Sequence, residues 1–157
     1  MDALLKLISN DARLTHAQLA AMLGITEADV AARIAQLERA GVIRGYRAVV
    51  DWHKTEREYV TAVIELKVTP RRDSGFEAIA ESIARLDEVE SVCLMSGGFD
   101  LLVTVGGRTF QDVALFVAKR LSTLESVVST ATHFVLRQYK ESGIPFEAEH
   151  KDERGAL

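Results

Sequence analysis

The sequence of 157 residues has little cysteine and no long apolar run. Cys93 is the single cysteine, so the chain cannot form an internal disulfide, which is typical of proteins from reducing compartments. No apolar stretch approaches the roughly 20 residues that a membrane-spanning helix needs. Residues 1–13 lack the basic start and the small-residue cleavage site of a secretory signal. We therefore expect a cytoplasmic protein with no membrane partner.

Patterns that indicate catalysis or metal binding are also missing. The four histidines, at positions 16, 53, 133 and 150, are scattered and make no metal-ligand spacing with Cys93. No nucleophile–base pair and no phosphate-cradling loop stands out. The sequence therefore predicts no metal, no cofactor and no catalytic residue, and we expect a protein that is not an enzyme.

Charged residues are distributed unevenly along a chain of net charge −4. Residues 1–50 carry six Lys or Arg against five Asp or Glu, whereas residues 51–157 carry 13 against 18. A hydrophobic content of 48% is enough to build folded cores. The weakly basic first third is thus the part better suited to contact nucleic acid.

Residues 14–46 are the stretch around which we interpret the rest of the chain. Thr15, followed three residues later by Gln18, is a capping box, which satisfies backbone groups at the start of a helix. Gly24 stands where the chain must reverse and where a side chain would be strained. The pattern predicts one short helix followed by a tight turn.

A second helix is predicted from Thr26 to Ala40, because Thr26 is a good N-cap residue and apolar residues recur at the spacing of a buried face. Gly41 ends it. Two helices joined in this way indicate a DNA-binding helix-turn-helix, although an ordinary helical hairpin would show the same spacing. We expect residues 1–8 to form a short helix across the pair, and residues 42–50 to form a strand or small wing.

From Tyr59 the pattern alternates between apolar and polar residues, which predicts a strand with two distinct faces. The charged residues 51–58 before it are interpreted as a linker between two domains. Further strands are predicted at residues 89–96, 100–105 and 127–139, and helices from a Ser74–Glu77 capping box to residue 86 and over residues 110–121.

The second half of the chain repeats itself. The string LDEVESV at residues 86–92 recurs as LSTLESV at residues 121–127, each time at the junction of a helix and the next strand. The repeat predicts two βαβ units and hence a ferredoxin-like βαββαβ domain, with an antiparallel sheet of order 4-1-3-2 and helices on one face. Together with the helix-turn-helix, this makes an α+β protein.

We expect a helix-turn-helix domain at residues 1–50, a ferredoxin-like domain at 59–140 and a charged tail at 141–157 that is packed through Phe146 and mobile beyond it. Apolar residues stand on both sides of several strands. The free face of the sheet therefore needs a second subunit to cover it, which predicts a homodimer and a higher homo-oligomer.

Several strings together resemble the Lrp/AsnC, or feast/famine, family of bacterial and archaeal transcription regulators. They are NDAR at residues 10–13, LGIT at 23–26, ARIAQLERAGVIRGY at 32–46, GGFD at 97–100 and STATHFVL at 129–136. The resemblance covers nearly the whole chain. It implies that the first domain binds double-stranded DNA and that the second binds an amino-acid effector and assembles subunits.

The second helix departs from the family pattern. It carries only Arg33 and Arg39 as basic residues, and Glu27 and Asp29 stand in its first turn. Those acids suit the positive end of the helix dipole but are poorly placed for phosphate contact, so we expect weak DNA affinity per subunit.

We expect the second helix to enter the major groove of DNA, with Arg33 as the foremost candidate for a guanine or phosphate contact. Any of the arginines can instead be a solvated surface charge. The candidate residues on or next to this helix are Thr26, Ala28, Asp29, Ala32, Arg33 and Gln36, and those for positioning on the DNA backbone are Arg13, Thr15, His16, Arg44 and Arg47.

The effector site is expected at the loop between the second and third strands. Gly97 and Gly98 leave backbone N–H groups free for a carboxylate, while Phe99 and Asp100 follow, and the Asp100 carboxylate suits an ammonium group. Thr130 and Thr132 in the fourth strand are further candidates for the effector carboxylate. The alternatives are a hairpin whose aspartate caps its own turn and ordinary β-branched strand residues.

The predicted sheet order places this loop and the start of the fourth strand at the same end but on opposite edges. A pocket that uses both is therefore expected between subunits, where the effector would bias assembly and DNA occupancy. Two alternatives remain. One is a tetrapyrrole (siroheme) decarboxylase-like enzyme on the same fold, for which His133 is the histidine to watch, and the other is an architectural DNA binder without an effector.

Overall fold

A computed structural model describes residues 2–70 and 75–146. The chain divides into two compact units, Met1–Val49 and Val50–Leu157. Each unit has its own hydrophobic core. The N-terminal unit contains three helices, and the C-terminal unit contains one four-stranded sheet with its helices.

The three helices of the N-terminal unit are α1 (Ala3–Asn10), α2 (His16–Leu23) and α3 (Glu27–Arg39). Apolar side chains from all three helices meet in one core. Its buried members are Leu4, Leu19, Ala20 and Val30, and six half-buried neighbours pack against them: Leu7, Ile8, Leu14, Leu23, Ile34 and Leu37. The predicted packing of a short first helix across the helix pair is thereby confirmed.

The predicted helix starts and the turn are confirmed at atomic detail. Thr15 accepts a hydrogen bond from the Gln18 N–H, and the Gln18 side chain accepts one from the Thr15 N–H, which is a complete capping box. Thr26 and Asp29 form the same reciprocal pair at the start of α3. Gly24 has a φ of 67°, the left-handed conformation in which a side chain is strained.

The strand predicted after α3 is wrong, because residues 42–50 form no β-strand. The N–H groups of Val42 and Ile43 instead donate to the carbonyl oxygen of Leu37, at 2.9 and 3.2 Å. These bonds close the end of α3. Within the described residues this segment pairs with no strand, and a strand without a neighbour lacks partners for its backbone groups.

The C-terminal unit has the predicted βαββαβ order, and its sheet order β2-β3-β1-β4 is the predicted order counted from the other edge. All neighbouring strands in this sheet are antiparallel. The elements are β1 (Val60–Val68), α4 (Glu77–Ala84), β2 (Val89–Leu94), β3 (Leu101–Gly107), α5 (Phe110–Phe116), a π-helix (Val117–Leu121) and β4 (Val127–Phe134). A 3₁₀ turn (Trp52–Lys54) precedes them, and a small hairpin of β5 (Lys140–Glu141) and β6 (Ile144–Pro145) follows.

One face of the sheet packs against the helices. Alternate residues of β1 and β3, from Ala62 to Val68 and from Leu101 to Val105, are buried against side chains of α4, α5 and the π-helix, among them Ile83, Phe116 and Leu121. The opposite residues of each strand point away from the helices. The expectation of helices on one face is confirmed.

The internal repeat corresponds to the same turn made twice. The Val89 N–H donates to the Leu86 carbonyl at 3.0 Å, and the Leu124 N–H donates to the Leu121 carbonyl at 3.2 Å. These residues occupy equivalent places in the two strings. The carbonyl of a leucine at or just after the end of each helix thus closes the turn into the next strand.

Three predicted elements end early: α4 at Ala84 instead of residue 86, β2 at Leu94 instead of residue 96, and the fourth strand. The fourth strand was predicted to residue 139 but ends at Phe134, opposite Ala62, with one more bond from the Val135 N–H to the Thr61 carbonyl. In this register Val60, the first residue of β1, lies level with Leu136, so residues 137–139 have no partner on β1. The helix predicted over residues 110–121 is helical throughout, as α5 to Phe116 and as the π-helix to Leu121.

Two predictions reach beyond the described residues. Ser74, the first member of a predicted capping box, lies outside them, and α4 has Phe76 at its N-cap without a side-chain hydrogen bond. The predicted mobile end, residues 147–157, also lies outside them. Within the described part of the tail, the Phe146 N–H donates to the Tyr139 carbonyl.

Candidate functional site

The surface of α3 that points away from the core contains one row of residues without charge. Ala28, Ala32 and Gln36 are exposed, and they follow one another at intervals of four residues along one side of the helix. Val30, on the opposite side, is fully buried. Three of the residues predicted to contact DNA therefore form one continuous outward row.

Arg33, the foremost predicted DNA contact, is held by a partner that the sequence did not indicate. Its guanidinium lies 2.9 Å from the carboxylate of Asp2, the N-cap residue of α1. The side chain of Arg33 is 54% exposed and that of Asp2 21%. Partial burial acts to raise the pKa of Asp2, but hydrogen bonds from Arg33 and Leu4 and the charge of Arg33 together lower it below its usual value.

Three more predicted contacts use their polar atoms in hydrogen bonds at the start of a helix. The Thr26 hydroxyl donates to the Asp29 carboxylate at 2.7 Å and accepts a bond from the Asp29 N–H at 3.1 Å. Thr15 is engaged in the same manner with Gln18 at the start of α2. These three residues therefore cap helices, which is the structural role that their types favour.

A groove of about 450 Å³ runs beside the outward row. Its lining residues are Asp2, Asp29, Ala32, Arg33, Gln36, Leu37 and Ala40. The structure thus brings together Asp29, Ala32, Arg33 and Gln36, the predicted contacts in the middle of α3. Asp2 belongs to the same surface, and no local signal in the sequence connects it to a residue 31 positions away.

The remaining predicted contacts lie elsewhere on the N-terminal unit. His16 lines a second groove, of about 460 Å³, together with Tyr46 and Glu38. The Tyr46 hydroxyl donates to the Glu38 carboxylate at 3.1 Å, and burial together with this acidic partner raises the pKa of Tyr46. Arg13, Arg44 and Arg47 are all exposed.

In the C-terminal unit, the predicted effector loop is fastened to the neighbouring strand by Asp100. The Asp100 carboxylate accepts the Val68 N–H at 2.9 Å, and its own N–H donates to the Leu66 carbonyl at 2.9 Å. The register of β1 and β4 shifts between Lys67 and Val68, so the ladder is irregular where the carboxylate binds. Asp100 therefore caps a different strand rather than its own turn.

The glycines of this loop are open to solvent. Gly97 and Gly98 are exposed, a Cβ added at either would meet nothing within 4 Å, and Gly97 has a φ of 146°. Phe99 beside them is half-buried. Leu94, 59% exposed, stands just before the loop. A small molecule could reach the backbone N–H groups and an apolar surface at the same place.

Thr130 and Thr132 do not join this loop within one protomer. They lie opposite Leu66 and Ile64 of β1, on the helix-covered side of the sheet, and both are half-buried. Because β1 lies between β3 and β4, Thr130 is about two strand spacings, roughly 10 Å, from the end of β3. The structure brings the loop residues together and leaves the threonines apart from them.

His133 does not resemble a buried structural histidine. It lies on the free face of the sheet, its side chain is 60% exposed, and its Nε2 is 3.3 Å from the Glu65 carboxylate. Among residues 2–70 and 75–146, no group of three His, Cys, Asp or Glu side chains could hold a metal ion. In the same part of the chain, no helix is long and apolar enough to cross a membrane.

Two family models match the chain. Residues 3–44 match a winged helix-turn-helix DNA-binding domain, and residues 61–145 match the Lrp/AsnC ligand-binding domain. The two matches cover the three-helix unit and the four-stranded sheet.

Whole-chain relatives are transcription regulators. The uncharacterized HTH-type transcriptional regulator YugG of Bacillus subtilis is 47% identical over 152 residues, covering 96% of this chain and 92% of the relative. A leucine-responsive regulatory protein of Rhizobium meliloti is 29% identical, covering 88% of each chain. A Neisseria meningitidis transcriptional regulator, solved with L-Met, has a similar fold, with a TM-score of 0.71 at 24% identity over 92% of this chain and 95% of that one.

Proposed function

The chain belongs to the Lrp/AsnC family of DNA-binding transcription regulators, and from this premise we propose that it works as a homo-oligomer whose occupancy of DNA changes when its C-terminal unit binds an amino acid. Such a regulator needs a DNA-reading surface, an effector site and a subunit interface. It acts in the cytoplasm, where the DNA of a bacterial or archaeal cell lies.

Helix α3 is the DNA-reading element of this proposal. Its outward row of Ala28, Ala32 and Gln36 is free of charge and continuous, so these side chains can approach base edges in the major groove. The exposed acids Glu27 and Asp29 in the first turn keep the affinity per subunit low. His16, Arg44 and Arg47 then contact the phosphate backbone. Thr15, Thr26 and Asp29 support the site by fixing the starts of α2 and α3.

The proposal of an amino-acid effector depends mainly on the chemical groups that the effector loop presents. Exposed N–H groups at Gly97 and Gly98 suit a carboxylate, and the apolar surface at Leu94 suits an aliphatic side chain. The Asp100 carboxylate has one oxygen bound to Val68 and a second oxygen for an ammonium group. An amino acid combines these three features, and the L-Met complex of the Neisseria regulator supports this class of ligand.

In this proposal a second copy of the chain packs against the free face of the sheet, which is the face opposite the helices. Cys93, Leu102, Glu65 and Ala131 stand in one row across the four strands, and Val63 and Thr104 occupy the next row. These side chains are mostly apolar or small, and the one carboxylate among them, on Glu65, lies 3.3 Å from Nε2 of His133 on the same face, so the face suits a homodimer interface. Thr130 and Thr132 lie on the other, helix-covered side of the sheet, so an effector pocket that uses them needs a second contact between subunits.

A calorimetric screen of the full-length protein against the twenty L-amino acids tests the effector. We expect at least one aliphatic amino acid to bind with saturable heat. Heat of dilution alone for all twenty would contradict the effector proposal and favour an architectural DNA binder. A coloured tetrapyrrole co-purifying with the protein would instead favour the decarboxylase-like alternative.

A further inference from the structure

The polar groups on the first three turns of α3 are not equally available. Thr26 and Asp29 are bound to each other in the capping box, and Arg33 is bound to Asp2. Glu27 is exposed but lies about a quarter turn from the outward row, since successive helical residues are about 100° apart. Gln36 is therefore the one uncharged polar side chain that the outward row presents.

The row has a definite length and chemistry. From Ala28 to Gln36 it extends about 12 Å, at about 1.5 Å per residue, which corresponds to three or four stacked base pairs. An alanine methyl packs against the C5-methyl group of thymine, and a glutamine amide forms two hydrogen bonds with N6 and N7 of adenine. Guanine is read by a bidentate arginine, and the structure holds Arg33 against α1 instead.

We propose that α3 reads A·T base pairs, with Gln36 hydrogen-bonded to an adenine and with Ala28 and Ala32 packed on thymine methyl groups. Arg33 is a positioning residue that holds α3 against α1 through Asp2 and does not read a base. The inference rests on the proposed function, because it assumes that α3 enters the major groove.

Selection from a randomised duplex library by the full-length protein tests both the DNA-binding function and the base preference of α3. The expected half-site has A·T pairs at the positions that face α3. In a fluorescence anisotropy titration at fixed salt, replacing the adenine that Gln36 reads by guanine weakens binding by about fivefold to 150-fold. Gln36→Ala is expected to lose this discrimination, because it removes the amide that bonds the adenine. Since the side chain is exposed, its removal leaves the fold undisturbed.

Arg33→Ala, on the same helix, is the control for Gln36→Ala. It is expected to keep the same base preference at every position, even where its overall affinity falls. A second measurement leaves the protein unchanged: deoxyuridine in place of thymidine removes the C5-methyl group and is expected to weaken binding severalfold at the positions facing Ala28 and Ala32.

Three results would overturn the inference. They are selection of guanine at the centre of the half-site, loss of base discrimination in Arg33→Ala with retention in Gln36→Ala, and equal binding of thymidine and deoxyuridine duplexes. If no duplex is enriched over the starting library, the proposed DNA-binding function fails as well, so the two failures can be told apart.

Discussion

Arg33 of α3 donates a hydrogen bond across 2.9 Å to the carboxylate of Asp2, which also caps α1 through the Leu4 N–H. One carboxylate therefore serves both as a helix cap and as the partner of a cation on another helix. The pair connects the first and third helices of the N-terminal unit at the edge of the groove beside α3.

This relationship predicts a pH-dependent contribution of Asp2 to stability. Because its pKa is lowered in the folded protein, the contribution is present above the unfolded pKa of about 4 and is lost as the pH falls through the folded pKa. Asp2→Asn keeps a good cap and removes the charge. In urea titrations followed by the amide NMR signals of residues 3–10, the wild type should have the higher unfolding midpoint at pH 7, and its advantage over Asp2→Asn should shrink as the pH falls below about 4. A difference that is independent of pH would show that the charge plays no part.

The turn between α2 and α3 provides a second prediction, with a matched pair of glycines. A Cβ would meet nothing within 4 Å at either Gly24 or Gly45, but only Gly24 has a positive φ, of 67°. Gly24→Ala should therefore destabilise the N-terminal unit by about 1 to 2 kcal/mol through backbone strain alone. Gly45→Ala should leave the unfolding midpoint nearly unchanged. Equal midpoints for the two variants would rule out the strain explanation.

The effector loop gives a third prediction, because Asp100 has a structural role as well as a proposed ligand role. Asp100→Ala leaves the Val68 N–H without its acceptor and should destabilise the C-terminal unit by about 1 to 3 kcal/mol. Asp100→Asn keeps an acceptor oxygen and should unfold closer to the wild type. Calorimetry should show that both variants lose amino-acid affinity, since both lose the charge. Wild-type affinity in Asp100→Asn would mean that another group holds the ammonium.

The free face of the sheet gives a fourth prediction. Ala131 lies on this face, and Ala84 is exposed at the end of α4 on the other side of the sheet. An arginine is much larger than the alanine it replaces and would force two packed sheets apart even with Glu65 opposite it, so Ala131→Arg should dissociate the oligomer in sedimentation velocity experiments and weaken DNA binding. Ala84→Arg is the control and should sediment as the wild type does. An unchanged sedimentation coefficient for Ala131→Arg would place the interface elsewhere.

Local signals in the sequence were sufficient for most of the fold. The capping boxes at Thr15 and Thr26 and the positive φ of Gly24 depend on residues within three positions of one another, so a single sequence contains them. Alternation fixed the two faces of β1, and the repeat of LDEVESV identified the two βαβ halves. Each of these features is confirmed.

The errors concern the ends of elements, where the partner available to each backbone group decides the structure. Residues 42–50 have strand-like composition, yet a strand needs a neighbour, and the Leu37 carbonyl takes the N–H groups of Val42 and Ile43. The length of β4 was overestimated because Val60, the first residue of β1, lies level with Leu136, so residues 137–139 have no partner on β1.

The candidate sites were limited in the same way. The bond from Asp100 to Val68 spans 32 positions, and that from Arg33 to Asp2 spans 31. The types of these residues indicated charge and hydrogen bonding, but only the folded chain shows which partners use them. Asp100 and Arg33 therefore have structural roles that the neighbouring sequence does not indicate.

The central claim, that an amino acid controls the occupancy of DNA by this protein, is tested most directly by one titration. The full-length protein is titrated onto its selected duplex at fixed salt, with fluorescence anisotropy as the signal, in the presence and absence of each amino acid that binds in calorimetry. Linkage between two sites typically changes affinity by about fivefold to 150-fold. We expect at least one amino acid to shift the dissociation constant for DNA by fivefold or more, and we expect Asp100→Asn to lose that shift. A dissociation constant that stays the same with every amino acid would contradict the account.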